Sequence, residues 1–400
     1  MFKLKKICVL GLGYIGLPTL TVLANKDYDV IGVDTNKKVT NQLNKGKIHI
    51  TEPLLEEKFK IALERGKIVF SQNPIQADVF IICVPTPFKK DKNFSPDLTY
   101  VEDAVKNILD YISQNSLIII ESTIPVGTTQ KIYKLIKNKV KFKFYLAHCP
   151  ERVLPGKILK EIVENDRVVG GIYNKDTKIA AKFYKSFVTG NVIETDSKTA
   201  EMCKLTENSF RDVNIAFANE LSILCDKMDI DVDILIKIAN LHPRVNILKP
   251  GVGVGGHCIA VDPWFIISQN KLHSQLIKKA RTTNERKKIF VIKQIIKISE
   301  KFYNMNGKQP KIACLGLTYK PDIDDLRNSP ALEVVEKLIS LNINVLSVEP
   351  NIKKYQGIKI SSLHSAIIKS DIIVVLVAHK EFKGLEKKYN LNKTNFINFA

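Results

Sequence analysis

The sequence predicts an α/β protein: two doubly wound, parallel-sheet lobes joined by a central long-helix segment. Three observations carry this. Short apolar runs alternate with helical patterns in both the first and the last part of the chain. A glycine cluster sits between the first strand and the first helix. One long stretch without Gly or Pro separates the two alternating parts. At 400 residues the chain has room for two or three domains of roughly 150 residues each. The expected division is 1–196, 197–305 and 306–400.

The first element, "KKICVLGLGYIGLP", is an apolar strand followed by Gly11-Leu12-Gly13-Tyr14-Ile15-Gly16 and a helical pattern, "LPTLTVLANKD". The next strand, "DVIGVD", ends at Asp34. Strand, glycine turn, helix, strand and acid in this order form the context that makes G-x-G-x-x-G informative; by itself the motif is equally a turn that binds nothing. Gly11 permits the tight turn, Gly13 lets backbone approach a pyrophosphate, and Gly16 lets helix and strand pack closely. The pyrophosphate then meets the N–H groups of the Gly13-Tyr14-Ile15-Gly16 turn at the helix start. Asp34 is placed to accept from ribose hydroxyls and to repel a 2′-phosphate, which favours NAD over NADP. Lys37 and Lys38 oppose that preference slightly. Both lobes are thus expected to be Rossmann-like.

The runs "DVFIICVPTP", "SLIIIESTIPVGT" and "KFYLAHCPERV" read as further buried parallel strands. Thr86, Thr123 and Glu151 fall at their C-terminal ends, where open α/β sheets bind ligands. Each reads equally as an ordinary strand-end cap. From Ser197, "SKTAEMCKLTENSFRDVNIAFANELSILCDKM" is one long helix. It carries an apolar stripe of Phe210, Val213, Phe217, Leu221 and Leu224 and a polar stripe of Lys204, Asn208 and Arg211. The bland reading of the polar stripe is a solvated face. A helix of this length between two lobes is also a natural dimer surface. Next comes "KPGVGVGGHCIAVDPWF", where glycines 251, 253, 255 and 256 precede His257 and Cys258. Glycine loses the most freedom on folding, so such a cluster marks a sharp turn or a close approach. Whether Cys258 reacts or packs is open at this point. After about Gly307 the alternation resumes with "PKIACLGLTYKPDIDDLRNSP" and a strand ending at Glu349, then "DIIVVLVAH".

Composition limits the alternatives. The chain is 45% hydrophobic and 26% charged, ordinary for a globular protein with a sizeable core. No stretch approaches about 20 apolar residues, so no membrane association is expected. The N-terminal Met-Phe-Lys-Leu-Lys-Lys has the look of a leader, but Gly11, Gly13 and Gly16 break the apolar segment and no small-residue cleavage pattern follows. Seven scattered cysteines without a CxxC suggest reduced thiols in the cytoplasm, with neither disulfides nor a metal site. The net charge of +20 is spread along the chain. Compositional bias explains it most simply, with an anionic substrate or polyanion binding as alternatives and no nucleic-acid partner expected.

Taken in order, "GLGYIG", "VPTP", "ESTIPVGTT", "CPERVLPGK", "KLTENSFRDVNIAFANE", "GVGVGGHCIAVDP" and "GLTYKPDIDDLRNSP" resemble the UDP-sugar 6-dehydrogenases, the family of UDP-glucose dehydrogenase, over nearly the whole chain. Within it, "PERVLPG" and "GVGGHCIAVDPWF" are most similar to the branch acting on UDP-N-acetyl-D-mannosamine. The resemblance implies NAD-dependent oxidation of a sugar C6 hydroxyl through a covalent intermediate on Cys258, with the glycine loop lying against the sugar. It implies that Lys204 and Asn208 stabilise oxyanions, that Asp262 and Glu151 move protons, and that Thr123 positions water or nicotinamide. It places Arg152, Val153, Arg211, His242, Arg244, Gly255, Tyr319 and Lys320, together with Lys204 and Asn208, at the UDP-sugar. Thr86 and Arg327 would contact NAD, and a homodimer is expected. UDP-N-acetylglucosamine and UDP-glucose are alternative substrates. A single-step hydroxyacid-type dehydrogenase and a non-catalytic NAD-binding protein are remoter readings, and the Cys258 loop speaks against both.

Overall fold

The computed structural model of the protein describes residues 5–89, 91, 94–391 and 395–400; the leader-like Met1–Leu4 lie outside them. The chain forms two compact units. The first contains the described residues through Glu207 together with Trp264–Gln269, and the second contains Asn208–Pro263 and the described residues from Asn270 onward.

In the first unit, strands β1 (Lys6–Leu10), β2 (Asp29–Val33), β3 (Ile68–Ser71), β4 (Val79–Ile82), β5 (Leu117–Ile120), β6 (Tyr145–His148), β7 (Arg167–Gly171) and β8 (Val192–Asp196) form one sheet in the order β3-β2-β1-β4-β5-β6-β7-β8. The first six run parallel. Strand β7 is antiparallel to β6, and β8 is parallel to β7. The order of the first six is the dinucleotide-binding order, whose switch point lies between β1 and β4. Helices α1 (Gly16–Asn25), α2 (Lys37–Asn44), α3 (Leu55–Glu64), α4 (Thr99–Ile108), α5 (Thr128–Lys139), α6 (Ile158–Glu164) and α7 (Asn174–Tyr184) connect the strands. Strand residues alternate between two apolar layers: Ile7, Val9, Ile81 and Ile119 belong to one, and Cys8, Leu10, Ile82 and Ile120 to the other. Both faces of the sheet are therefore covered, which is why these strands read as continuous apolar runs.

Helix α8 (Ser197–Met228) has the limits the sequence predicts. It belongs to the first unit through Glu207 and to the second from Asn208. Then follow α9 (Val232–Ala239), α10 (Asp262–Gln269) and the 32-residue α11 (Gln275–Asn306). The second unit's own sheet is built from β9 (Lys311–Leu315), β10 (Asn344–Val348), β11 (Ile372–Val375) and β12 (Phe396–Asn398), in the order β10-β9-β11-β12, all parallel. Helices α12 (Pro330–Ser340), α13 (Leu363–Lys369) and α14 (Leu385–Lys388) complete it. Among the described residues no helix is long and apolar enough to cross a membrane.

The glycine turn after β1 is built by contact rather than by composition. Gly11 has φ +87°, and a Cβ there would lie 2.6 Å from the Cys83 carbonyl oxygen. A Cβ on Gly16 would lie 1.8 Å from the Gly11 oxygen, whereas one on Gly13 meets nothing within 4 Å. Gly16 is thus required for α1 to seat on the turn, and Gly13 leaves an open surface. Gly16→Ala should destabilise the first unit by at least about 3 kcal/mol, and Gly13→Ala by less than about 0.5 kcal/mol. Thermal melts followed by circular dichroism check this; equal melting temperatures for the two variants would count against the packing role of Gly16.

Candidate active site

The first unit supplies an open cradle at the switch point. Gly13 and Tyr14 are exposed at the start of α1. Half-buried Asp34 follows β2 and shapes the turn: its Oδ2 accepts from Leu12 N–H (3.0 Å) and its Oδ1 from Asn36 N–H (2.9 Å). Ile15 and Gly16 close the turn beneath. Thr86 is buried beyond β4, and Thr123 is half-buried beyond β5. An open backbone surface, a helix N-terminus and a partly exposed carboxylate are the donor and acceptor set that a dinucleotide with free ribose hydroxyls requires. The residues present therefore fit NAD.

Beyond β6 the loop from Glu151 to Lys157 is held by acidic side chains. Glu52 accepts from Gly156 and Ile158 N–H (both 2.8 Å), and Glu161 accepts from Leu154 N–H (2.8 Å). Glu207 takes the Arg152 guanidinium through Nη2 (2.6 Å) and Nε (3.1 Å). Arg152, expected at the sugar, is thus already paired within the first unit, while Val153 beside it is half-buried. Glu151 is itself buried, with one oxygen on Arg167 Nη1 (2.6 Å) and the other on Arg152 N–H (2.7 Å). Arg167 is 2% exposed, and its Nη2 donates to the Ile162 carbonyl. Near this pair Glu121 accepts from the Tyr184 hydroxyl (2.7 Å) and the Cys83 thiol (3.2 Å). Burial pushes the Glu121 carboxyl up, with the Arg167 charge opposing. One guanidinium thus serves two buried carboxylates and touches only Glu151. Sequence reasoning missed Arg167, Glu121 and Glu52. Arg167 left a faint signal: a cation opening the apolar run "RVVGG" must find a buried partner.

On α8, Lys204 is half-buried in the first unit, one turn before Asn208 of the second. Asn208 donates through Nδ2 to Asp262 Oδ2 (2.5 Å), and both residues are buried. Two residues named from sequence, 54 positions apart, are thereby brought together. Asp262 opens α10, and its N–H donates to the Cys258 carbonyl (2.8 Å), so the acid stands one turn beyond the thiol. Of the seven cysteines Cys258 is the exposed one. Burial pushes the thiols of Cys8, Cys149 and Cys314 up to about 12, which leaves them inert. The sequence reading attributes the glycines before Cys258 to a nearby sugar, yet at two of them the chain itself fills the space. A Cβ on Gly255 would lie 2.5 Å from the Asn328 oxygen and 2.7 Å from Tyr319, and one on Gly256 would lie 2.7 Å from the Tyr319 ring. His257 is half-buried, and burial together with the Arg327 charge lowers its pKa.

Elsewhere in the second unit, Arg211, His242, Arg244 and Lys320 are exposed and Tyr319 is half-buried. Arg327 forms a two-pronged pair with Asp325. Glu349 follows β10 as Asp34 follows β2, but its fate differs. Its Oε2 accepts from Leu317 N–H (2.8 Å) and Thr318 N–H (3.1 Å), and His379 Nε2 lies 3.2 Å away. The His379 Nδ1 accepts from Asp322 N–H (3.0 Å), so Nε2 carries the proton. With acid and imidazole engaged with each other, Glu349, unlike Asp34, presents no exposed carboxylate to a ribose. Asp322, His379 and Glu381 lie close enough to hold a metal ion, but both His379 nitrogens are engaged as described.

Comparison with known proteins places the chain in context. Residues 5–188 match the NAD binding domain of the UDP-glucose/GDP-mannose dehydrogenase family, residues 198–286 its central domain, and residues 313–398 its UDP binding domain. The UDP-N-acetyl-D-mannosamine dehydrogenase of Campylobacter jejuni is 52% identical over 96% of this chain and 97% of its own length. The NDP-N-acetyl-D-galactosaminuronic acid dehydrogenase of Ralstonia nicotianae is 46% identical over 96% of this chain and 92% of its own. Among solved structures, a UDP-D-ManNAc dehydrogenase from Pyrococcus horikoshii superposes with a TM-score of 0.90 at 41% identity, covering 99% of this chain and 95% of that one.

The buried pair makes a stability prediction. Arg167→Met leaves Glu151 charged, buried and without its partner, which should cost about 3–5 kcal/mol. The double variant Arg167→Met with Glu151→Gln should recover a large part, because position 151 then no longer holds a charge without its partner, and burial already works against ionisation of Glu121. Denaturant unfolding of the three proteins checks it; a double variant no more stable than Arg167→Met would show that Glu151 is not the charge that Arg167 balances.

Proposed function

The chain belongs to the UDP-glucose/GDP-mannose dehydrogenase family, and we propose that it carries the C6 hydroxyl of a UDP-N-acetylhexosamine, with UDP-N-acetyl-D-mannosamine as first choice, through to the uronate. It is an NAD-dependent UDP-sugar dehydrogenase; the four-electron course, the cysteine chemistry and the sugar are the proposal. The observation that carries it is the arrangement around Cys258: the one exposed thiol, with a buried acid one turn away that Asn208 holds in place.

NAD, when bound, accepts the hydride at each of the two oxidations. Gly13 and the turn to Gly16 hold its pyrophosphate, Asp34 its ribose, and Thr86, Thr123 and Arg327 further parts. Once the alcohol is an aldehyde, the Cys258 thiolate adds to the carbonyl carbon and forms a thiohemiacetal. Lys204 and Asn208 stabilise the negative charge on oxygen. Loss of the second hydride leaves a thioester, and water cleaves its C–S bond to release the uronate and the thiolate. Glu151, paired with Arg167, takes the proton of that water with Thr123 as its orienter, and Asp262 exchanges the proton of the thiol. Covalent capture keeps the aldehyde from escaping. Arg152, Val153, Arg211, His242, Arg244, Gly255, Tyr319 and Lys320 are assigned to the UDP-sugar, the cations suiting its diphosphate. This distributes cofactor, sugar and UDP over segments 1–196, 197–305 and 306–400. Seven cysteines with no disulfide among the described residues support a cytoplasmic setting.

Purified protein with NAD and a panel of UDP-N-acetylmannosamine, UDP-N-acetylglucosamine, UDP-N-acetylgalactosamine and UDP-glucose tests the reading. The manno sugar should give the highest kcat/KM, with two NADH per sugar consumed and no free aldehyde. Cys258→Ser should abolish steady-state turnover while retaining sugar binding. An end-point of one NADH per sugar sinks the thioester course; preference for another sugar overturns only the substrate.

We also propose a homodimer. On the second-unit part of α8, Phe210 (69% exposed), Phe217 (53%), Leu224 and Met228 are exposed, as are Ile234 and Ile238 on α9 and Leu241 beyond it. The seven-residue spacing of Phe210, Phe217 and Leu224 places them along one stripe. A patch of this kind suits a self-complementary contact with a second copy. Sedimentation equilibrium should give a dimer that Phe217→Glu converts to monomer; a wild-type monomer at micromolar concentration rejects it.

A further inference from the structure

The loop Lys249–Gly256 contains backbone that glycine makes permissive, with Gly253 and Gly256 at φ +154° and +82°, and yet it has to bring Cys258 to one place. A side-chain anchor reaches it from α8. The Gly251 N–H donates to Asn219 Oδ1 (2.9 Å), and Asn219 is fully buried. Asn219 Nδ2 donates to Asn284 Oδ1 (2.9 Å) on α11, where Asn284 is 1% exposed. Asn284 Nδ2 in turn donates to the Asp212 main-chain carbonyl (3.1 Å) and to Asp212 Oδ1 (2.8 Å). The buried Arg281 donates to that same Oδ1 (2.7 Å) and reaches Glu285 with its other Nη.

The direction of both amides is fixed from the two ends. The Gly251 N–H only donates, so Asn219 turns its oxygen to the loop. The Asp212 carbonyl only accepts, so Asn284 turns its NH2 to α8. Between them a donor meets an acceptor without conflict. We infer that Asn219 and Asn284 are positioning residues, a buried amide relay running from the Asp212–Arg281 pair to the Gly251 N–H that fixes the loop presenting Cys258. The relay rests on the reading of Cys258 as nucleophile given above. Amides that only joined α8 to α11 would not need to turn an acceptor toward the Gly251 N–H, and that difference can be tested.

Asn219→Asp keeps the size and still accepts from Gly251, but its second oxygen faces Asn284 Oδ1. Asn284 cannot turn over without aiming that oxygen at the Asp212 carbonyl. The expected result is a fall in kcat of about 10²-fold, the scale of a small misplacement of reacting groups, with KM for sugar and NAD little changed. The Gly251 amide should exchange with deuterium slowly in the wild-type enzyme and faster in the variant, read by mass spectrometry on the peptide that spans it. Unchanged kcat in Asn219→Asp, or wild-type exchange at Gly251 as fast as an open loop, overturns the inference; if the variant does not fold, the wild-type exchange decides alone. Exchange is read without turnover. Activity in Cys258→Ser would therefore refute the nucleophile while leaving the relay measurable, so the two failures are told apart.

Discussion

A backbone N–H withdrawn from water needs an acceptor, and the functional loops of this protein lie outside the helix and strand ladders that would supply one. Side chains supply it instead. Asp34 accepts from Leu12, Glu52 from Gly156 and Ile158, Glu161 from Leu154, Glu349 from Leu317 and Thr318, and Asn219 from Gly251. Glu201 on α8 does the same for α5, accepting from the N–H groups of Gly127 and Thr129. Apart from Glu161, each acceptor stands far along the chain from the loop it holds, so those loops keep their shape only while their own unit is folded. The sites are in this sense consequences of the packing beneath them.

Two other buried carboxylates have a guanidinium beside them, Arg167 for Glu151 and Arg281 for Asp212. A buried pair of this kind adds little net stability against an apolar replacement but makes the loss of either partner expensive. It therefore fixes where each side chain points. For Glu151 this means a side chain held on Arg167 in the loop beyond β6. For Glu121, which shares the same cation without touching it, burial works against ionisation.

The two lobes show how one supersecondary pattern is put to two uses. Both run strand, glycine turn, helix, strand, acid. In the first, Asp34 keeps part of its carboxylate toward solvent. In the second, His379 and Asn351 occupy Glu349 and the carboxylate is sealed. The difference is made by His379, which lies beyond β11 and 30 residues downstream of the acid.

The sequence by itself determined the elements and offered candidate site residues. Apolar runs at the strand period, the Gly11 to Gly16 spacing and the unbroken 32 residues of α8 are local patterns, and local sterics and burial are enough to read them. Glycine cluster, helical spacing and strand end single out Cys258, Asn208 and Asp34 as positions, while the roles expected of Cys258, Asn208 and Asp262 come from the family resemblance. Tertiary structure alone decided who meets whom. That Arg167 balances Glu151, that Arg152 is already held by Glu207, that Tyr319 rather than a ligand occupies the space beside Gly256, and that Asn219 speaks to Gly251 through its oxygen all depend on contacts between distant parts of the chain. Such contacts leave no periodic trace in sequence, since a buried charge or amide is identified by its partner and the partner is chosen only when the chain has packed.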